Sequence, residues 1–193
     1  RIMTTKDETA NDAEQEGGVV ITPRDPKTQH NFGPASSRDD ILYTSERPGG
    51  DPGEDGTEIS TSLVQEWINF MKTKGVQHVL VLLDDNELDI YQSPGLLTLY
   101  QQNGLTVHRN PMGVNGAAER AIQTIRDVEA AKEKIVAHCT HGMGRSGRIA
   151  AGWLSIRYGL STKDATNEAL DSARKNGMQR MGHQKALEAW LEH

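Results

Sequence analysis

The chain has 193 residues, 35 % of them apolar, and a net charge of −6, enough apolar material for one domain with one core. Its lone cysteine excludes an internal disulfide and a cysteine-rich zinc site, and suits a reducing compartment, so the expected location is the cytoplasm. No apolar run approaches the ~20 residues of a membrane span, and the charged start lacks the form of a signal peptide.

Charge is unevenly spread: residues 1–60 hold 13 acids against 6 Lys/Arg, the remainder 14 against 15. The acid excess therefore lies at the N-terminal side, and nothing in the rest repels an anionic ligand. No clustered basic stripe of the kind a general nucleic-acid binder carries is evident. Arg1-Ile2 and Leu191-Glu192-His193 look like cloning remnants and carry no functional argument.

Residues 1–30 are polar and aperiodic, which predicts a flexible or loosely attached segment before a domain over 31–193. Ile41-Leu42-Tyr43 reads as an edge strand, followed by a loop of Pro48, Gly49, Gly50, Pro52 and Gly53. Leu63, Trp67, Ile68, Phe70 and Met71 fall at helical spacings that end at Gly75. The apolar run 78–83 predicts a buried strand of parallel-sheet type. A helix over 94–102 stops at Gly104, a strand covers 105–108, a long helix 116–133 and a last strand 135–138. Helices follow at 145–158, 162–175 and 183–190. Strands alternating with helices predict a single α/β domain, its mainly parallel central sheet of four to five strands flanked by helices.

Residues 138–147 read His-Cys-Thr-His-Gly-Met-Gly-Arg-Ser-Gly, between a strand and a helix. A cysteine at that junction sits among unpaired backbone N–H groups at the positive end of a helix, a setting that favours the thiolate. The same groups, over Thr140, His141, Gly142, Met143 and Gly144, form a cradle for a phosphate dianion. Gly142, Gly144 and Gly147 allow close backbone approach. Arg145 grips two phosphoryl oxygens through its planar fork. A lone cysteine is ordinarily a small buried apolar residue. The Arg and Ser at fixed offsets, with strand before and helix after, select the nucleophile instead.

The H-C-x5-R-S pattern resembles the signature of the cysteine-dependent protein tyrosine and dual-specificity phosphatases, and a looser likeness runs from about Asn31 to Trp190. The resemblance implies a phosphatase loop at a strand–helix junction, a phosphocysteine intermediate on Cys139, and no metal or other cofactor. It gives Ser146 a hydrogen bond to the sulfur that helps it leave, and makes His138 a buried residue ordering the loop. Ser45-Glu46-Arg47-Pro48-Gly49 resembles a turn of the family. Gln184 resembles the glutamine that positions the hydrolytic water, although a glutamine in a first helical turn is ordinarily just solvated. Arg174, Lys175 and Arg180 read either as anion-steering residues or as a solvated charged face.

The family's usual aspartate, some thirty residues before the cysteine, has no counterpart: residues 108–116 contain no acid, and Asn115 stands near the expected place. Asp84 and Asp85, at the strand edge where parallel sheets place ligands, are the candidate substitutes. The competing reading is local, since Asp84-x-x-Glu87 has the form of a helix capping box. Glu119 is a further candidate. The expected substrate is a phosphorylated protein or peptide, phosphotyrosine favoured, with or without phosphoserine and phosphothreonine. The loop also resembles that of cysteine-type RNA 5′-triphosphatases, so a phosphoanhydride hydrolase is the alternative, and a nucleic-acid partner is expected only in that case. The third reading is a phosphate-binding module without turnover.

Overall fold

The computed structural model describes residues 18–50 and 56–193. Its elements in chain order are β1 (Val20–Ile21), a 3₁₀ turn (Gln29–Asn31), β2 (Gly33–Pro34), β3 (Leu42–Glu46), α1 (Thr61–Thr73), β4 (His78–Val81), α2 (Asp85–Leu88) and α3 (Leu96–Gln102). There follow β5 (Thr106–Arg109), α4 (Ala117–Ala130), β6 (Ile135–Cys139), α5 (Gly144–Tyr158), α6 (Thr162–Lys175), β7 (Met181–Gly182) and α7 (Gln184–Leu191).

Five strands form the main sheet in the order β2-β3-β6-β4-β5. β3, β6, β4 and β5 run parallel, and β2 is an antiparallel edge on β3. All five residues of β6 are buried, as the centre of a sheet covered on both faces requires. Successive side chains alternate between those faces. Leu80, Leu82, Ile135, Ala137 and Cys139 point to a core shared with α4, α5, α6 and α7. Val79, Val81, Leu83 and Val136 point to a second core under α1 and α3. The last two residues of β6 therefore part company: Cys139 faces α5, whereas His138 faces Trp67 and Tyr100.

The helices begin where the sequence offers caps. Ser60 Oγ accepts from Leu63 N, and Ser161 Oγ accepts from Asp164 N at 3.1 Å. α5 buries Ser146, Gly147 and the run Ile149–Leu154, so it is a core helix, enclosed on most sides.

The expected helices and main strands are present with ends shifted by a few residues, but the strand read at 41–43 as an edge lies inside the sheet, covered on its outer side by the two-residue β2. The two-residue strands β1, β2 and β7, too short to show periodicity, were not expected. Of the polar segment 1–30, residues 1–17 lie outside the described residues, as do the loop residues Pro52 and Gly53. Residues 18–30 pack on the domain: β1 pairs antiparallel with β7, Thr22 Oγ1 donates to Met178 O at 2.6 Å, and Arg24 meets Glu46 at 2.7 Å. Among the described residues no helix is long and apolar enough to cross a membrane.

Candidate active site

Cys139 ends β6 and is 3 % exposed. The loop after it turns directly into α5, whose first residues supply Arg145 and Ser146. Ser146, fully buried, donates its hydroxyl to Cys139 Sγ at 3.1 Å. One helical turn thus places a donor on the sulfur and a guanidinium at the rim.

The loop's shape depends on glycine at two places. Gly142 has φ of +69°, and a Cβ there would stand 2.5 to 2.7 Å from the backbone of Ser45 and Glu46. A Cβ on Gly147 would meet Met181 O at 2.5 Å. Gly144 differs: its nearest neighbour would be Met181 Sδ at 3.7 Å, an ordinary contact. The turn after β3 abuts the loop, with Arg47 N donating to Cys139 O at 2.9 Å and Arg47 Nε to Gly50 O. On the other flank buried Asn31 donates through Nδ2 to His141 O at 3.1 Å and Gln179 O at 2.7 Å, while its Oδ1 accepts from Gln179 N. Asn31 thereby ties the N-terminal segment, the loop and the approach to β7 into one unit. Nothing in the sequence distinguished it beyond the tolerance of asparagine for a left-handed backbone, here φ of +47°.

Arg145 is held by a carboxylate. Its Nη1 and Nη2 donate to Glu87 Oε2 and Oε1 at 2.6 and 2.7 Å, a bidentate pair. Nη1 also reaches Leu82 O and Nη2 the Thr140 hydroxyl at 2.8 Å, and that hydroxyl in turn donates to Glu87 Oε1 at 2.6 Å. Glu87 accepts from Asp84 N as well, closing the capping box of α2. The guanidinium foremost, then the Thr140 hydroxyl and the Asp84 amide, bring its carboxyl from 4.5 down to about 2.

His138 is fully buried, its Nε2 3.1 Å from the Tyr100 hydroxyl and its ring edge-on to Trp67. Burial first, and the cationic neighbours Arg47 and Arg145 after it, push His138 down to about 3, so the imidazole is neutral at physiological pH. It holds the strand end against α1 and α3 and carries no charge to the loop.

The candidate acids lie elsewhere than expected. Asp84 caps α2, and Asp85, its side chain 97 % exposed, pairs with Arg109 at 2.6 Å. The carboxylate that this turn brings to the loop is Glu87. Glu119 is exposed in the first turn of α4. Gln184 Nε2 donates to Glu188 Oε1 at 2.7 Å. Arg180 is a correction: it is fully buried, donating to the carbonyls of Ala35, Ala169 and Pro34 and to Thr44 Oγ1, so it braces the fold from inside. Arg174 pairs with Asp171 on the surface. Among the described residues no three His, Cys, Asp or Glu side chains are grouped to hold a metal.

A parallel sheet feeding a cysteine-bearing loop into a central helix, with serine on the sulfur and arginine at the rim, defines the superfamily of cysteine-dependent tyrosine and dual-specificity phosphatases. The structures it resembles include kinase associated phosphatase with its catalytic-site cysteine replaced by serine, at TM-score 0.65 and 22 % identity over 89 % of this chain and 94 % of that one. Tk-PTP in its active form gives TM-score 0.57 and 22 % identity over 80 % and 92 %. The family model for Cyclin-dependent kinase inhibitor 3 (CDKN3) matches residues 52–166, and the chain belongs to that family. The proteins named Cyclin-dependent kinase inhibitor 3 from Rattus norvegicus and Homo sapiens are 31 % and 32 % identical over 116 residues, covering 58 % of this chain and 53 % of each relative. The chain thus spans about half the length of the curated relatives it matches.

Proposed function

We propose that the chain is a phosphomonoester hydrolase that removes phosphate from proteins or peptides, phosphotyrosine foremost, through a phosphocysteine intermediate on Cys139. The observation that carries this reading is the 3.1 Å hydrogen bond from Ser146 to Cys139 Sγ at the mouth of a glycine-shaped loop opening α5. The catalytic domain is placed over residues 31–193, braced by β1, in a cytoplasmic protein whose one thiol suits a reducing compartment.

In the first step Cys139 sulfur bonds to phosphorus and the ester P–O bond breaks, the electron pair leaving with the alcohol oxygen. In the second, water adds to phosphorus, the S–P bond breaks, and phosphate departs while Ser146 donates to the recovering sulfur. Gly142 and the backbone N–H groups of residues 140–145 face the phosphoryl oxygens. Arg145 spends all four of its Nη hydrogens on Glu87, Leu82 and Thr140. A bound phosphoryl group takes its Nε–H and displaces the Thr140 hydroxyl from Nη2. Glu87 keeps the fork aimed and is ionised, so it cannot supply the proton the leaving oxygen needs. With no acid in residues 108–116, an aryl oxygen leaves far more readily than an alkoxide.

The kinase associated phosphatase fold and the kinase-inhibitor relatives support a phosphoprotein substrate. The acid-free loop favours one other reading, a phosphoanhydride hydrolase such as an RNA 5′-triphosphatase, because an anhydride also expels a stable leaving group. The test compares one peptide carrying phosphotyrosine or phosphoserine with a 5′-triphosphorylated oligonucleotide. The proposal requires the phosphotyrosine peptide to be the best of the three in kcat/KM, and preference for the triphosphate replaces it with the second reading.

A further inference from the structure

Among the described residues three non-glycine residues have positive φ, and two of them are neighbours, His30 at +53° and Asn31 at +47°. Left-handed backbone is disfavoured for any residue with a Cβ, and asparagine tolerates it better than most. Two such residues in succession persist only where their surroundings hold them, and backbone held in this way gathers at functional sites. His30 is held by Phe70 of α1, its ring edge-on at 4.9 Å. Asn31 is fully buried, and its partners are Gln179 and the loop after Cys139.

The amide of Asn31 is used completely. Gln179 N can only donate, so the end of the side chain facing it at 2.8 Å is Oδ1 and the other end is Nδ2. One Nδ2 hydrogen goes to Gln179 O at 2.7 Å. The other is shared between His141 O at 3.1 Å and Gly142 O at 3.3 Å. In a trans peptide the carbonyl and the next N–H lie antiparallel in one plane. Drawing the carbonyls of residues 141 and 142 outward therefore turns the N–H groups of Gly142 and Met143 inward. On its other side Gly142 lies against the backbone of Ser45 and Glu46, with no room for a Cβ. The apex of the loop is thus gripped from two sides, and one grip is a side chain that a single substitution removes.

We propose that Asn31 is a positioning residue for the reaction, aiming two loop N–H groups at the phosphoryl oxygens by fixing the carbonyls behind them. The inference rests on the phosphomonoester hydrolase reading above. Asn31 touches neither substrate nor sulfur. It acts through the loop, so it governs how tightly the cradle holds a phosphoryl group. The bland alternative is a staple that only fastens residues 18–30 to the domain. Ligand affinity separates the two, because a loss of folded protein leaves the affinity of the folded remainder unchanged.

Asn31→Gly removes the amide and keeps the left-handed backbone without strain. Asn31→Asp keeps the shape and the tolerance for that backbone but faces three carbonyls with acceptors. Thr22→Val is the control: it removes the hydroxyl bonded to Met178 O at 2.6 Å and Arg180 N at 2.8 Å, and leaves the loop untouched. For each protein the competitive Ki of inorganic phosphate is measured with KM and kcat on an aryl phosphate, and Tm alongside. Misaiming the two donors predicts about a tenfold rise in Ki in both Asn31 variants, ~1.4 kcal/mol. Their kcat/KM falls at least as far. Thr22→Val lowers Tm and keeps the wild-type Ki. An unchanged Ki in either Asn31 variant, or an equal rise in Thr22→Val, overturns the positioning role while leaving the hydrolase reading intact. Wild type that does not cleave the aryl phosphate, or is not inhibited by phosphate, overturns that reading and the positioning role with it.

Discussion

Replacing Glu87 with glutamine removes one charge from the centre of the site while keeping its shape. Glutamine still serves as the third residue of the α2 capping box, so the variant isolates the Arg145 pair. In the folded protein the Glu87 carboxyl is brought from 4.5 to about 2. A depressed carboxyl stabilises the fold above its unfolded pKa, and that contribution is lost as the pH falls from about 4.5 towards 2. A shift of that size is ~3 kcal/mol for an unscreened pair. The Glu87 and Arg145 side chains are 20 % and 27 % exposed, so solvent screening brings the expected value to about 1–2 kcal/mol. Glu87→Gln should therefore unfold at lower denaturant at pH 7 by that amount, a Tm lower by roughly 2–8 °C in a chain of this size. Its stability should also fall less than wild type between pH 5 and 3. With Arg145 released, aryl phosphatase kcat/KM should drop about tenfold, the equivalent of ~1.4 kcal/mol. Urea titrations of both proteins at pH 3, 5 and 7 make the measurement. Equal stability at pH 7 together with identical acid limbs would show that the pair neither stabilises the fold nor positions Arg145.

Gly142→Ala should cost more than tenfold in kcat/KM and weaken inhibition by vanadate, since its Cβ would stand 2.5 Å from the Ser45 backbone at a φ of +69°. Gly144→Ala, with 3.7 Å to spare, should stay within a fewfold of wild type, and equal losses in the two variants would show that the loop tolerates no alanine for reasons other than space. Without a side-chain acid, phosphoserine should trail phosphotyrosine by the 10²–10⁴-fold that a general acid typically supplies. Asp84→Asn and Asp85→Asn should each leave phosphotyrosine turnover within about fivefold of wild type, because asparagine caps as well as aspartate and an exposed ion pair contributes at most about 1 kcal/mol. A loss of tenfold or more in either would restore that aspartate as the proton donor.

The loop was legible because everything that defines it is local. Strand, cysteine, glycines, arginine, serine and helix follow one another in ten residues, and each residue type has a physical reason to be there. A buried His138 was implied by the resemblance alone, and alternation along the central strand is what sends it into the opposite core. Glu87 was seen only as half of a capping box with Asp84. That local role is real, and it hid the second one, because the partner Arg145 lies 58 residues away and only β4 and β6 lying side by side bring the two together. Asn31 and Arg180 escaped for the same reason. One stands just after the polar segment with no pattern around it, the other among charges that read as surface, and both are defined by backbone carbonyls that no sequence pattern announces.

The central claim is that turnover passes through a phosphoryl group on Cys139. Mixing enzyme with excess aryl phosphate, quenching in acid within milliseconds and mapping the modified peptide by mass spectrometry tests it directly. One phosphoryl group per chain is expected on the peptide containing Cys139, formed at a rate no slower than turnover and absent from Cys139→Ser, whose activity falls below about a hundredth of wild type. A fully active enzyme that never carries the group, a phosphoryl label on another residue, or a Cys139→Ser variant that retains substantial turnover would contradict it.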